Sequence, residues 1–71
     1  QLIERDGVLY GIMAGRLRAL STSLQDDGTV IADSVNTPRG KVYVNALTLG
    51  ADGNLYYAKG ATIYRYTFPA G

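Results

Sequence analysis

The sequence predicts an all-β protein built from a repeated unit of short antiparallel strands. The 71 residues include nine glycines, six tyrosines and one phenylalanine, a composition that favours strands and tight turns. Residues 6–10 (DGVLY) return 46 positions later as residues 52–56 (DGNLY). A repeat of roughly 40–50 residues with several short strands is typical of a β-propeller blade. We therefore expect propeller-type, four-stranded antiparallel blades, of which the chain holds about one and a half.

The first repeat, residues 1–41, contains four segments with period-2 apolar patterning between Gly, Asp and Asn turn signals. Residues 22–28 are polar and predict a loop between the third and fourth segments. Residues 36–40 predict a second loop, because Pro38 cannot donate a hydrogen bond to a strand neighbour. The predicted strands are 2–4, 8–13, 16–21 and 29–35.

The second repeat, residues 42–71, contains counterparts of only the first three strands. The predicted strands are 42–49, 55–58 and 62–68. Without a fourth strand, the strand at 62–68 exposes an unpaired edge, which is an aggregation liability unless something covers it. We expect neighbouring subunits of a homo-oligomer, or the remainder of a longer parent chain, to complete the sheets. Residues 1–71 are treated as one propeller-blade unit.

The two repeated Asp-Gly dipeptides, Asp6-Gly7 and Asp52-Gly53, mark turns in which glycine supplies a positive φ at no steric cost. The aspartates Asp6 and Asp52 are interpreted as structural, because an Asp side chain can accept hydrogen bonds from the turn backbone. In each repeat the leucine after the turn is expected to face the sheet–sheet core, and the following tyrosine the other face. These pairs are Leu9 with Tyr10 and Leu55 with Tyr56.

Composition argues against catalysis and against a metal or cofactor. The chain has no Cys and no His, so it lacks the thiolate metal ligand and the usual general base near neutral pH. The acidic pair Asp26–Asp27 does not fit the alternating ligand spacing of a calcium-binding EF-hand loop. We predict a protein that is not an enzyme and that binds no metal or cofactor.

Charge and hydropathy argue against two classes of partner, nucleic acids and membranes. The net charge is +1, and the seven Lys and Arg residues are scattered instead of forming the basic stripe of a nucleic-acid binder. No apolar run approaches the roughly 18 residues of a membrane span. We expect neither nucleic acid nor membrane as a partner. The sequence does not determine the compartment, and an extracellular location stays open.

Tyrosines are concentrated in the second repeat. Tyr64 and Tyr66 alternate along one predicted strand and therefore share a face. Tyr56 and Tyr57 lie on the preceding predicted strand. Such a cluster suits packing between blades, and it also suits a sugar site in which a ring stacks beside fixed polar groups.

Residues 44–58 (VNALTLGADGNLYYA), followed by residues 63–65 (IYR), resemble blades of tachylectin-2-type β-propeller lectins. That resemblance implies a carbohydrate-binding protein with sugar sites between adjacent blades. Matched position by position, it implies a glycan site formed by Asp26, Asp27, Tyr56 and Tyr57. The alternative is a non-catalytic structural or assembly module, or a fragment of a larger propeller, with no small-molecule site.

Overall fold

The computed structural model describes residues 2–23 and 28–69, and this part of the chain contains strands and no helix. The predicted all-β class with antiparallel pairing is confirmed. The strands are β1 (Leu2–Arg5), β2 (Val8–Met13), β3 (Arg16–Ser21), β4 (Thr29–Ala32), β5 (Val35–Thr37), β6 (Gly40–Val42), β7 (Val44–Leu49), β8 (Leu55–Lys59) and β9 (Thr62–Tyr66). Among these residues there is accordingly no helix long and apolar enough to cross a membrane.

The strands form two sheets joined by a hairpin. The first sheet has the order β1-β2-β3-β4, the hairpin is β5-β6, and the second sheet has the order β7-β8-β9. Of the described strands only β8 pairs with β9, so β9 is the open edge expected from the incomplete second repeat. The sheets are small and do not close on themselves, and their membership of a propeller stays a prediction.

The predicted strand at residues 29–35 is wrong in its second half, because β4 ends at Ala32. The carboxylate of Asp33 accepts hydrogen bonds from Arg16 Nε at 2.6 Å and from the Ser34 amide at 2.7 Å. These bonds hold Asp33 out of the ladder, and the chain then starts a new strand at Val35.

The predicted loop at residues 36–40 is instead largely hairpin. In β5-β6, Thr37 pairs with Gly40 across a two-residue turn made by Pro38 and Arg39. A proline is tolerated in the turn because no ladder hydrogen bond is needed from its nitrogen. Thr37 Oγ1 closes the turn by donating to the Gly40 carbonyl oxygen at 2.7 Å. The predicted long strand at 42–49 is therefore split, with β7 starting at Val44.

The pairing register repeats together with the sequence. Tyr10 pairs with Ala19 in the first sheet, and 46 positions later Tyr56 pairs with Arg65 in the second. The same offset relates every pair between β8 and β9 to a pair between β2 and β3. The hairpins β2-β3 and β8-β9 are thus two copies of one structural unit.

The Asp-Gly turns both use a positive φ, at Gly7 (81°) and Gly53 (83°), as predicted. They differ in length. In the first turn Asp6 also has a positive φ, as in the two-residue type I′ turn. The second turn is a three-residue loop, in which Gly50 and Asn54 are joined by a backbone hydrogen bond of 2.8 Å. As a result, β7 is displaced by one residue along β8 compared with β1 along β2.

The core lies between the two sheets, and each sheet turns a different face towards it. The inner face of the first sheet carries Ile3, Val8, Tyr10, Ile12, Leu17 and Ala19. The inner face of the second sheet carries Val44, Leu47, Leu55, Tyr57, Tyr64 and Tyr66. The six most buried apolar residues are Tyr10, Leu17, Ala32, Val44, Leu47 and Leu55.

This arrangement corrects one expectation. Leu55 is fully buried and Tyr56 faces outwards, as predicted, but in the first repeat Tyr10 is buried and Leu9 faces outwards. The reason is that equivalent faces of the two sheets point in the same direction. The core between the sheets therefore receives one face of the first repeat and the opposite face of the second.

Candidate ligand-binding site

A cleft of about 440 Å³ opens between the first sheet and the C-terminal end of the second. We call it the inter-sheet cleft. The described residues that line it are all neutral, and two of them come from the second repeat. The lining residues are Gly7, Val8, Tyr10, Ala19, Leu20, Ser21, Thr29, Ile31, Tyr66 and Pro69.

Strand geometry explains how hydroxyl groups gather at the mouth of this cleft. Ser21 is the last residue of β3 and Thr29 is the first of β4, so both lie at the same end of the first sheet. Tyr66 ends β9 in the facing sheet. The chain between Ser21 and Thr29 carries the predicted site residues Asp26 and Asp27, which lie outside the described residues.

An aromatic cluster adjoins the cleft, and two of its rings, those of Tyr10 and Tyr66, belong to lining residues. The ring of Tyr10 lies 6.0 Å from that of Tyr66 and 5.0 Å from that of Phe68, in an edge-on arrangement with the latter. The guanidinium carbon of Arg5 lies 4.6 Å from the centre of the Phe68 ring. Edge-on and cation–π contacts of this kind fix ring orientation as well as burying area. Phe68, which follows β9, thereby connects the end of the second sheet to the first.

Electrostatics at the cleft favour neutral chemistry. Burial raises the pKa of the Tyr10 hydroxyl, and the neighbouring Tyr66 acts in the same direction. Tyr10 is therefore protonated at neutral pH and carries a hydroxyl that can donate or accept a hydrogen bond. Among the described residues that line the cleft, none carries a charged side chain. Nearby charges act on the pKa of Tyr10 in opposite directions, with Arg5 lowering it and Asp6 raising it. The described lining residues can hold a polar, uncharged molecule.

The predicted site residues Tyr56 and Tyr57 lie next to each other on β8 and point to opposite sides of the second sheet. Tyr57 stacks on Tyr64 with ring centres 5.4 Å apart and 19° between the ring planes. Tyr56 lies on the outer side, and both residues border a shallow pocket of about 150 Å³ beside Ile63. Neither lines the inter-sheet cleft, so the grouping of all four predicted residues in one site stays a prediction.

Asp52 is tied into its turn, in keeping with the structural role predicted for it. Its carboxylate accepts hydrogen bonds from the Tyr56 hydroxyl and from the Asn54 amide, the latter at 3.0 Å. The bond from Tyr56, followed by that from Asn54, holds the pKa of Asp52 below its usual value. The same bond raises the pKa of the Tyr56 hydroxyl.

Sequence reasoning missed the inter-sheet cleft because the cleft depends on how the sheets pack. The available signal was the repeat itself, since Tyr10 is the counterpart of the predicted site residue Tyr56. In the described part of the chain, no group of three or more acidic, His or Cys side chains is arranged to hold a metal ion. No protein-family model, curated protein or solved structure matches the chain.

Proposed function

We propose that this chain is a lectin-like, carbohydrate-binding module that takes a neutral saccharide into the inter-sheet cleft. The observation that carries the proposal is a cleft of about 440 Å³ whose described lining residues are uncharged and include several with hydroxyl groups. Small-molecule sites are commonly about 300–1,000 Å³, mostly apolar, with a few polar groups that fix orientation.

The lining chemistry matches the two kinds of surface that a sugar offers. Hydroxyls of Ser21, Thr29 and Tyr66 can exchange hydrogen bonds with sugar hydroxyls. Val8 and Pro69 supply apolar surface for the C–H groups of a pyranose ring. The absence of charged side chains among the described lining residues disfavours phosphorylated or strongly acidic ligands, because a buried charge needs a partner.

The position of the cleft also agrees with the resemblance to tachylectin-2-type lectins, which implies sites between adjacent blades. The chain segment that carries Asp26 and Asp27 leaves from one cleft residue, Ser21, and returns at another, Thr29. Tyr56 occupies in the second repeat the position that Tyr10 occupies in the first. In this proposal Tyr56, as the repeat counterpart of the cleft residue Tyr10, serves a second cleft on the outer side of the second sheet.

Nuclear magnetic resonance titration with neutral mono- and disaccharides tests the proposal. We expect saturable shifts at the amides of Gly7, Ser21 and Thr29, which border the cleft, and small shifts in the β5-β6 hairpin, which does not. Absence of any saturable shift at high millimolar sugar would show that the cleft is not a carbohydrate site.

A pair of matched variants localises the binding. Thr29→Ala removes a cleft hydroxyl, and Thr62→Ala removes an exposed hydroxyl from β9, outside the cleft. Loss of one neutral hydrogen bond costs about 0.5–1.5 kcal/mol, so Thr29→Ala should weaken sugar affinity roughly two- to tenfold. Thr62→Ala should leave it unchanged. Equal effects of the two variants would contradict binding in the cleft.

The alternative, a non-catalytic assembly module, is favoured by a different observation. Apolar side chains such as Ile63 and Leu2 are exposed on the outer sides of the sheets, and β9 has an open edge. This alternative predicts self-association with no saturable small ligand. Saturable sugar binding that Thr29→Ala weakens and Thr62→Ala does not would show that the chain is more than an assembly module.

A further inference from the structure

The two sheets contact each other through faces that are not equivalent in the repeat. Position by position, Tyr10 and Leu17 on the inner face of the first sheet correspond to Tyr56 and Ile63 in the second. Those two residues lie on the outer side of the second sheet. The face that the first sheet buries is thus the face that the second sheet leaves open.

The converse also holds. Leu55, at the centre of the inner face of the second sheet, is the counterpart of Leu9 in the first. Leu9 points away from the core, on the side of the first sheet that also carries Leu2 and Met13. The face that the second sheet buries is thus the face that the first sheet turns away from the core, where Leu2 and Met13 are exposed and Leu9 is partly buried. The chain contains one such interface internally and presents both halves of a second one.

We propose that the outer face of the second sheet docks onto the outer face of the first sheet of another copy of this chain, head to tail. The outer face of the second sheet is defined by Ala46, Thr48, Tyr56, Ala58, Ile63 and Arg65. The outer face of the first sheet is defined by Leu2, Leu9, Gly11, Met13 and Arg18. The occupant is a second copy because the intramolecular interface already joins faces from these same repeat positions.

Exposed apolar side chains on both faces support the docking, namely Ile63 on the second sheet and Leu2 with Met13 on the first. Ile63 is 75% exposed and Leu2 is 67% exposed, which are high values for large aliphatic side chains in the middle or at the start of a strand. The pocket of about 150 Å³ bordered by Tyr56, Ala58 and Ile63 offers a concave surface on the second sheet. A net charge of +1 gives little repulsion between copies.

The interface is heterologous, since each copy contributes a different face. Interfaces of that type generate a closed ring, or an open series where the rotation does not close. A new cleft would form at each junction, with Tyr56 in the place that Tyr10 holds inside one chain. The proposal does not depend on carbohydrate binding, because assembly is measured without any sugar present.

Sedimentation equilibrium of the 71-residue chain and of two one-face variants tests the proposal. Ile63→Asp places a charge on the outer face of the second sheet, and Leu9→Asp on that of the first. Each variant alone should be monomeric at concentrations where the unmodified chain assembles. An equimolar mixture should form a one-to-one dimer, because each variant retains the face that the other has lost.

Val35→Asp is the matched control, since Val35 is exposed on the β5-β6 hairpin outside both faces and its variant should assemble normally. Leu2→Asp, at a more exposed site, replaces Leu9→Asp if the latter unfolds. A chain that stays monomeric at all concentrations would overturn the proposal. A mixture that stays monomeric while the unmodified chain assembles would also overturn it, and would point to another surface such as the β9 edge.

Discussion

The side chain of Arg16, at the start of β3, donates from Nε to Oδ1 of Asp33 over 2.6 Å, across 17 residues of sequence. Both side chains are partly exposed, and the same oxygen of Asp33 also accepts the Ser34 amide at 2.7 Å. The ion pair therefore anchors the point where the chain leaves the first sheet. It explains why the segment at 29–35 stops being a strand after Ala32.

We predict that Arg16→Gln raises the pKa of Asp33 towards its ordinary value of 3.8, because the bond from Arg16 is the main cause of the lowered pKa. Because the pKa of Asp33 is lowered in the folded state, the ion pair stabilises the fold at pH values above the ordinary pKa of 3.8. That stabilisation is lost as the pH falls through the folded value. Carboxyl chemical shifts report the pKa directly, and the stability gap between the two proteins should close below pH 3.8. Arg39→Gln, in the hairpin turn, is the control. An unchanged Asp33 pKa in Arg16→Gln would contradict the assignment.

We predict that Gly15→Ala destabilises the fold more than Gly53→Ala. Both glycines have a positive φ, of 76° and 83°, so each substitution costs about 1–2 kcal/mol in backbone strain. A Cβ at Gly53 would meet open space, whereas one at Gly15 would collide with the ring of Tyr43. Overpacking adds roughly 1–3 kcal/mol at Gly15. Urea unfolding measures both, and Tyr43→Ala combined with Gly15→Ala should recover part of the difference. Equal losses of stability in Gly15→Ala and Gly53→Ala would show that the Tyr43 ring moves aside without cost.

We predict that Phe68→Leu lowers stability by about 0.5–1.5 kcal/mol, the usual worth of aromatic pairing beyond buried area. Phe68 packs on Tyr10 and Tyr66, with Arg5 over its ring. Leucine keeps an apolar side chain and loses these contacts. The near-ultraviolet circular dichroism of the tyrosines should weaken as well. The exposed neighbour Thr67→Ala is the control, and a Phe68→Leu protein as stable as the unmodified chain would show that the cluster does not hold the sheets together.

We predict that Asp52→Asn lowers the pKa of Tyr56 towards its ordinary value of 10.0, because the hydrogen bond to Asp52 is the main cause of the raised pKa. Since that pKa is raised, the bond stabilises the fold below pH 10.0 and is lost as pH rises through the folded value. The pKa of Asp52 is lowered, so the stabilisation that its carboxylate gives the fold is lost as the pH falls through the pKa of Asp52 in the folded state. Tyrosine ring resonances followed against pH provide the measurement.

Asp6→Asn is the matched control for that experiment, because Asp6 occupies the equivalent Asp-Gly turn, and Tyr56 bonds to Asp52. If Tyr56 titrates identically in Asp52→Asn and in the unmodified chain, the hydroxyl does not donate to this carboxylate in solution.

Local features of the fold could be predicted from the sequence. Gly7 and Gly53 are turn residues whatever surrounds them, and the strands between such turns follow from alternation. The end of β4 could not be predicted, since it depends on an arginine 17 residues away. The burial of Tyr10 and the inter-sheet cleft also depend on which faces meet, and strand patterning alone does not determine that.

The length of the turn at Asp52–Gly53 determines the register of β7 along β8, and therefore which side chains of β7 face the core. With a two-residue turn like the one at Asp6–Gly7, β7 would move by one position along β8. Because alternate side chains face opposite sides, Leu47, now 6% exposed, would be turned out of the core, and Thr48 would be turned in. The two halves of the chain are therefore not interchangeable parts. Grafting the first turn onto the second repeat would exchange the buried and exposed faces of β7 without altering a single residue of that strand.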